Sequence, residues 1–318
     1  MSNSTRTTSS TSTAAGVKDR VKPAARWKPS VVRRALESTI VDSHLQPGTW
    51  GPLPLHTAAW WSVKHRARLT SNERRLAGLK DKHKGQRCFI LGNGPSLNSC
   101  DLTKLRGEIT FGVNSIFLNT EAMGFVPNYY VVEDILVAED RAKQIDAFKG
   151  PQKFFGNYLR RFLGGGPDVL WTNVRVNYAD YANFPHFSTD AVRQLWVGGT
   201  VSYICLQLAY HMGFKDVHLV GFDHNYSIPD DAKIDGNRIE TTSTDPNHFH
   251  PDYFGKGYRW HNPRVDRMEI AYVRAKREFE ALGRRVSNAT VGGKLEVFDR
   301  VNYDALFRPK PMTKRRAA

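Results

Sequence analysis

The chain has 318 residues, of which 40% are hydrophobic, 11% aromatic and 24% charged. That is enough apolar material for one catalytic-sized α/β domain with flanking segments and excludes disorder throughout. The formal net charge of +15 is confined to the ends: residues 1–87 carry 17 Lys and Arg against 5 Asp and Glu, and residues 308–318 carry five basic and no acidic side chains. The slightly acidic middle argues against nucleic acid as a partner.

Ten of the first thirteen residues are Ser or Thr with no apolar run behind them, which reads as a disordered leader over residues 1–20 and not as a secretory signal. A basic extension, irregular or helical and loosely packed, is expected over residues 21–84, with a basic helix in 66–84. Cys88, Phe89, Ile90 and Leu91 then form a short apolar run that stops at Gly92, Asn93, Gly94, Pro95 and Ser96. Leu97, Leu102 and Leu105 suggest a following helix.

Further strands are expected at 109–113, ending at Asn114, at 129–132, ending at Glu133 and Asp134, and at 153–155. A possible strand follows at 174–176. Each of the main runs is apolar at successive positions, the mark of a strand covered on both faces. Gly198, Gly199 and Thr200 open a helix over 200–212, capped by Gly213, and a buried strand ends at Gly221 and Asp223. After a polar stretch over 224–263 come a helix at 264–282, a strand from Val286 and one more at 295–298. The alternation predicts an α/β, Rossmann-like, mostly parallel sheet with helices on both faces. The domain is expected over 85–307, with a basic tail over 308–318.

In an open parallel sheet, ligands bind beyond the carboxyl ends of the strands, so polar residues placed just after a strand are the candidates. The glycines of the turn at 92–96 would let backbone approach a ligand, and Pro95 would fix a helix start whose N–H groups attract a phosphate or ribose oxygen. Neither GxGxxG nor GxxxxGK[ST] is present. The polar stretch concentrates His248, His250, His261, Tyr253, Tyr258, Arg259 and Trp260 before a helix, which suits a lid over a substrate. His248 and His250 with Asp252 or Asp223 would alternatively be a metal site.

The blocks at 89–97, 111–114, 198–201, 213–223 and 245–261 resemble the MptE-like family over residues 85–307. That family takes its name from archaeal 6-hydroxymethylpterin diphosphokinases and includes flagellin-modifying motility accessory proteins. The same blocks are similar to bacterial sialyltransferases that use CMP-sialic acid. This second resemblance implies that Gly92, Asn93, Gly94, Pro95, Ser96 and Asn114 hold the nucleotide, that Gly198, Gly199, Thr200 and Asp223 lie against it, and that His261 is the catalytic histidine. Tyrosines that neutralise the leaving phosphate would correspond to Tyr226, Tyr253 or Tyr258, with Tyr226 displaced by one position from the sialyltransferase pattern.

Three functions stay open. A glycosyltransferase would use His261 as base, with Arg259, Tyr226 and Tyr258 at the departing phosphate, and would join a nucleotide-sugar donor to a glycan or protein acceptor without a metal cofactor. A diphosphokinase would use ATP and Mg2+ held by Asp223 with Glu133 or Asp134. A non-catalytic nucleotide-binding protein would keep only the fold. Cys88, Cys100 and Cys205 have no CxxC spacing, and no apolar stretch is long enough to span a bilayer, so a cytoplasmic location is expected. The basic ends suit peripheral contact with an anionic membrane surface at its inner face.

Overall fold

The computed structural model describes residues 70–176 and 184–308. The leader at 1–20, the extension up to residue 69 and the tail from residue 309 lie outside them. Among the described residues no helix is long and apolar enough to cross a membrane.

Eight strands form one fully parallel sheet. In chain order its strands are β1 (Arg87–Leu91), β2 (Thr110–Val113), β3 (Tyr129–Val132), β4 (Gln152–Gly156), β5 (Val169–Thr172), β8 (Asp216–Val220), β12 (Arg285–Asn288) and β13 (Asp299–Arg300). A parallel pair, β6 (Val174–Arg175) and β7 (Leu195–Trp196), and an antiparallel trio, β9 (Lys233–Asp235), β10 (Arg238–Glu240) and β11 (Arg259–His261), lie outside it. The spatial order is β13-β12-β8-β1-β2-β3-β4-β5. Chain order therefore reverses between β8 and β1, and the crevice at their carboxyl ends is where such sheets take ligands.

The continuous apolar runs are explained by two cores. Cys88 and Ile90 of β1 face one, Phe89 and Leu91 the other, because successive strand side chains point to opposite faces. The first core is covered by α1 (Ser71–Ala77), α5 (Val201–His211) and α6 (Val265–Glu280). The second is covered by short helical pieces, among them α2 (Thr120–Met123), α3 (Ile135–Asp140) and α4 (Ala142–Ala147), and by the segment 249–260.

Several expectations are corrected. Of the basic helix expected over 66–84, residues 66–69 lie outside the described residues, and the described part is helical only over the seven residues of α1, capped by Thr70 and Glu73 in a reciprocal capping box. Residues 70–86 are not loosely attached. Leu76 and Leu79 are buried, Asn72 exchanges two 2.8 Å hydrogen bonds with the backbone of Trp171, and the N–H groups of Asp81, His83 and Gly85 bond the carbonyls of His211, Met212 and Gly213.

The helix expected after Ser96 is two 3-10 turns, Pro95–Ser99 and Leu102–Leu105. Cys100 between them is extended, and the Asp101 side chain accepts from the Thr103 N–H, so the chain restarts before an α-helical turn can propagate. At 295–298 there is no strand. Leu295 and Phe298 are core plugs, and the edge strand is β13. The strand β5 and the antiparallel trio were not foreseen.

Candidate active site

The crevice is a cleft of about 420 Å³ walled by the loops after β1, β2, β3 and β8, the start of α5 and the segment 224–264. Its floor is the turn after β1. Gly92 N–H bonds the Val220 carbonyl at 2.8 Å and Gly94 N–H bonds the Gly221 carbonyl at 3.0 Å. A Cβ at Gly92 would stand 2.6 Å from the Gly221 oxygen, and one at Gly94 only 1.8 Å from Asp223 Oδ2. These glycines are therefore required by the contact between two loops of the protein itself, not only by a ligand.

Asp223 folds back on the same turn: Ser96 N–H and Ser96 Oγ donate to its Oδ2 at 3.3 and 2.7 Å. The position at which an anion would meet the helix start is thus filled by a carboxylate.

Deeper in the cleft, Asn93 Nδ2 donates to the Val113 carbonyl at 3.0 Å and to the Tyr253 hydroxyl at 2.5 Å. Asn114 follows β2 in the left-handed region, at φ 47°, which asparagine tolerates better than most residues. The amide oxygens of Asn93 and Asn114 and the Ser115 hydroxyl are buried without a hydrogen-bond partner. Across the cleft, Thr200 accepts from the Ser202 N–H as the N-cap of α5, and its hydroxyl continues through Ser202 Oγ at 2.8 Å to the Tyr272 hydroxyl at 2.6 Å.

At the rim, His261 Nδ1 donates to Asp134 Oδ2 at 3.0 Å. The other oxygen of Asp134 caps α3 by accepting from the N–H groups of Leu136 and Val137, so the carboxylate is fixed from behind. The Asp134 hydrogen bond raises the His261 pKa above its usual value, against the opposing effect of burial. Glu133 also lines the cleft; burial, aided by the Asp134 charge, pushes its pKa up to about 7. Burial lowers the His224 pKa, and its Nε2 lies 3.3 Å from Glu269 Oε1.

Of the sequence candidates, Gly92, Asn93, Gly94, Asn114, Gly199, Thr200, Asp223, Tyr226, His248, Tyr253, Trp260 and His261 line the cleft, as do Glu133 and Asp134. Pro95, Ser96 and Gly198 lie behind the wall; a Cβ on Gly198 would meet Tyr203 and Ala271 at 2.6 and 2.8 Å, so it serves the packing of α5 on α6. Arg259 and Tyr258 do not reach the cleft. Arg259 is turned away into ion pairs with Asp140 and Glu139, and the Tyr258 ring lies 4.0 Å from the Arg141 guanidinium.

The 224–263 stretch forms one wall of the cleft, with His248, Tyr253, Trp260 and His261 in its lining, and it is not a solvated loop. Phe249, Tyr253, Phe254 and Trp260 are buried in the second core. Asp223, Glu133 and Asp134 do not converge as ligands, nor do His248 and His250: among the described residues no three His, Cys, Asp or Glu side chains are grouped to hold a metal ion. The pairing of His261 with Asp134 and the hydroxyl chain to Tyr272 were not foreseen, since each joins residues far apart in sequence.

The family model described as 6-hydroxymethylpterin diphosphokinase MptE-like matches residues 65–229, more than half of the chain. The chain belongs to the MptE-like family. The match takes in β1, the glycine turn, Asn114, Asp134, α5 and Asp223, whereas His248 and His261 lie beyond it. Among solved structures, the MAf glycosyltransferase from Magnetospirillum magneticum AMB-1 is similar at a TM-score of 0.44 and 16% identity, over 81% of this chain and 43% of that one. The chain thus spans less than half the length of that protein. No curated protein matches the chain.

Proposed function

We propose that the chain is a glycosyltransferase that moves a sugar, a nonulosonic acid, from a CMP-activated donor to a hydroxyl of a glycan or protein acceptor. The observation that carries this reading is the His261–Asp134 pair at the open rim of a cleft whose inner wall is Asn93 and Asn114. Asp134 holds the imidazole in the tautomer that leaves Nε2 for an acceptor hydroxyl.

In the step, the acceptor oxygen bonds to the anomeric carbon as its proton passes to His261 Nε2. The bond from that carbon to the phosphate oxygen breaks, and its electron pair stays on the phosphate. Tyr226 and the Thr200–Ser202–Tyr272 hydroxyls line the same cleft and can donate to charge developing there, which makes a metal unnecessary. Arg259 and Tyr258 have no part in the step, because their side chains are engaged elsewhere.

The description of the family favours a second reading, transfer of a diphosphoryl group from ATP to a pterin alcohol. A thermal-shift panel of CMP, CDP, UDP, GDP, ATP and a pterin, each with and without magnesium, separates the two, since a ligand selective for the native state raises its melting temperature. Stabilisation by CMP without metal supports sugar transfer, and stabilisation only by ATP with magnesium refutes it. The charge at the chain ends supports a location in the cytoplasm against an anionic membrane surface. Unchanged fractionation after removal of residues 1–69 and 309–318 would discard that location.

A further inference from the structure

A nucleotide brings a phosphate into a cleft whose lining is rich in carboxylates, and the candidates to meet it are few. Among the described residues, the lining side chains that can carry positive charge are Arg264, His224, His248 and His261. The helix start behind Gly94 is closed to an anion by Asp223. Arg264 is engaged by Asp266 through two hydrogen bonds, at 3.1 and 2.8 Å. The His224 side chain is 4% exposed and bound to Glu269, and its burial disfavours the charged form. His261, 41% exposed, stands at the rim where an acceptor arrives from solvent.

His248 differs from all of these. Its Nδ1 donates to Asp245 Oδ2 at 2.6 Å, and Asp245 is itself 3% exposed and accepts from the N–H groups of Asn247 and Phe254 at 2.8 and 3.0 Å. The ring lies flat on Tyr253, centroids 3.9 Å apart at 1°, with the edge of Phe254 against it. The next residue ties it to the nucleotide end of the cleft: Phe249 N–H donates to the Asn93 carbonyl at 2.8 Å, and Asn98 Nδ2 donates to the Phe249 carbonyl at 2.9 Å. A histidine needed only to brace a loop would use Nδ1 and could bury the rest. This one is fixed in plane and tautomer, and its side chain, 13% exposed, still lines the cleft; with Nδ1 committed to Asp245, Nε2 is the nitrogen that can meet a ligand.

We propose that His248 is the phosphate partner of this cleft, donating its Nε2 proton to the phosphate of the bound nucleotide as the bond to the transferred group breaks, with Asp245 as its positioning residue. The proposal rests on the transferase reading above. His248 enters the step as imidazolium. The phosphate oxygen that takes the electron pair of the broken bond also takes the Nε2 proton, and His248 is left neutral with its Nδ1–H on Asp245. His261 gains the acceptor proton in the same turnover. Exchange of one proton with solvent at each ring restores both residues, so no oxidant, reductant or further reactant is consumed.

The test is calorimetric titration of the full chain and of H248N with CMP and with cytidine, which lacks the phosphate. The Asn amide nitrogen takes the place of Nδ1, so the brace to Asp245 is kept while the Nε2 donor is removed. Loss of a charge-assisted hydrogen bond predicts CMP affinity lowered about tenfold or more with cytidine affinity unchanged, and a displaced 31P resonance of bound CMP. An unchanged CMP affinity overturns the proposal, and so does an equal loss for CMP and cytidine, which marks a purely structural role. If H248N fails to fold, D245N, which keeps the imidazole, is expected to lower CMP affinity selectively and is read by the same two criteria. Failure of the wild-type chain to bind CMP would overturn the transferase reading itself, an outcome distinct from a wild type that binds CMP and an H248N that binds it equally well.

Discussion

Replacing Gly94 with Ala tests whether the glycine turn is shaped by the protein's own loops. The new Cβ would sit 1.8 Å from Asp223 Oδ2 and 2.8 Å from the Gly221 carbonyl oxygen. Asp223 must swing out, which forfeits its 2.7 Å hydrogen bond from Ser96 Oγ as well as the long 3.3 Å one from Ser96 N–H; the short bond, of the charge-assisted kind, contributes about 1.5–3 kcal/mol. The residual crowding against the Gly221 backbone adds about 1–3 kcal/mol of overpacking strain. Gly94 has φ −68° and ψ 158°, a conformation open to alanine, so backbone strain adds nothing.

The expected loss for G94A is therefore about 2.5–6 kcal/mol, measured by urea denaturation. In a D223A background the first contribution is already gone, and the same substitution should cost only about 1–3 kcal/mol. The two substitutions should thus be sub-additive by about 1.5–3 kcal/mol. Additivity within about 0.5 kcal/mol would refute the reasoning.

Three further outcomes are expected. D134N keeps an oxygen to cap α3 but removes the charge from His261, so turnover should fall about 100-fold or more. The acid limb of its pH–rate profile should also move to lower pH, because a base must be neutral and Asp134 is what raises its pKa; a limb that stays put rules out His261 as the base. His218, buried and 2.7 Å from Ser287 Oγ, has its pKa lowered to about 4, first by burial. The unfolded chain then binds the extra proton below pH 6.5, so this residue should remove stability as pH falls from 6.5 to about 4, by about 3 kcal/mol in all, and H218N should flatten urea-denaturation stability over that range. T200V removes the N-cap of α5 and should cost about 1 kcal/mol in the same assay, while also interrupting the hydroxyl chain to Tyr272.

What could be read before folding was local. The β1 run, the turn that ends it, Asn114, the Thr200 cap and the amphipathic period of α6 all depend on neighbours within a few residues, and each was legible for that reason. Arg259 shows the limit. As a cation in a polar stretch it looked fit for a phosphate, yet Asp140, 119 residues away, claims its guanidinium. Asp223 looked like a ligand group at a strand end and is held by Ser96, 127 residues earlier. Tyr253 and Trp260 looked like the aromatic faces of a lid; both do line the cleft, but they are also buried in the core that covers the second face of the sheet.

The sequence by itself determined the class of fold, through apolar runs too continuous for a one-sided sheet, and the strand ends at which polar residues would gather. Tertiary structure decided which of those residues meet. The strand order that sets β1 between β8 and β2 brings Gly94 against Asp223, and the return of the chain after α3 brings His261 to Asp134. Such pairings follow from which side of a strand or loop a side chain leaves and from what lies across the sheet, and neither is encoded within a short window of sequence.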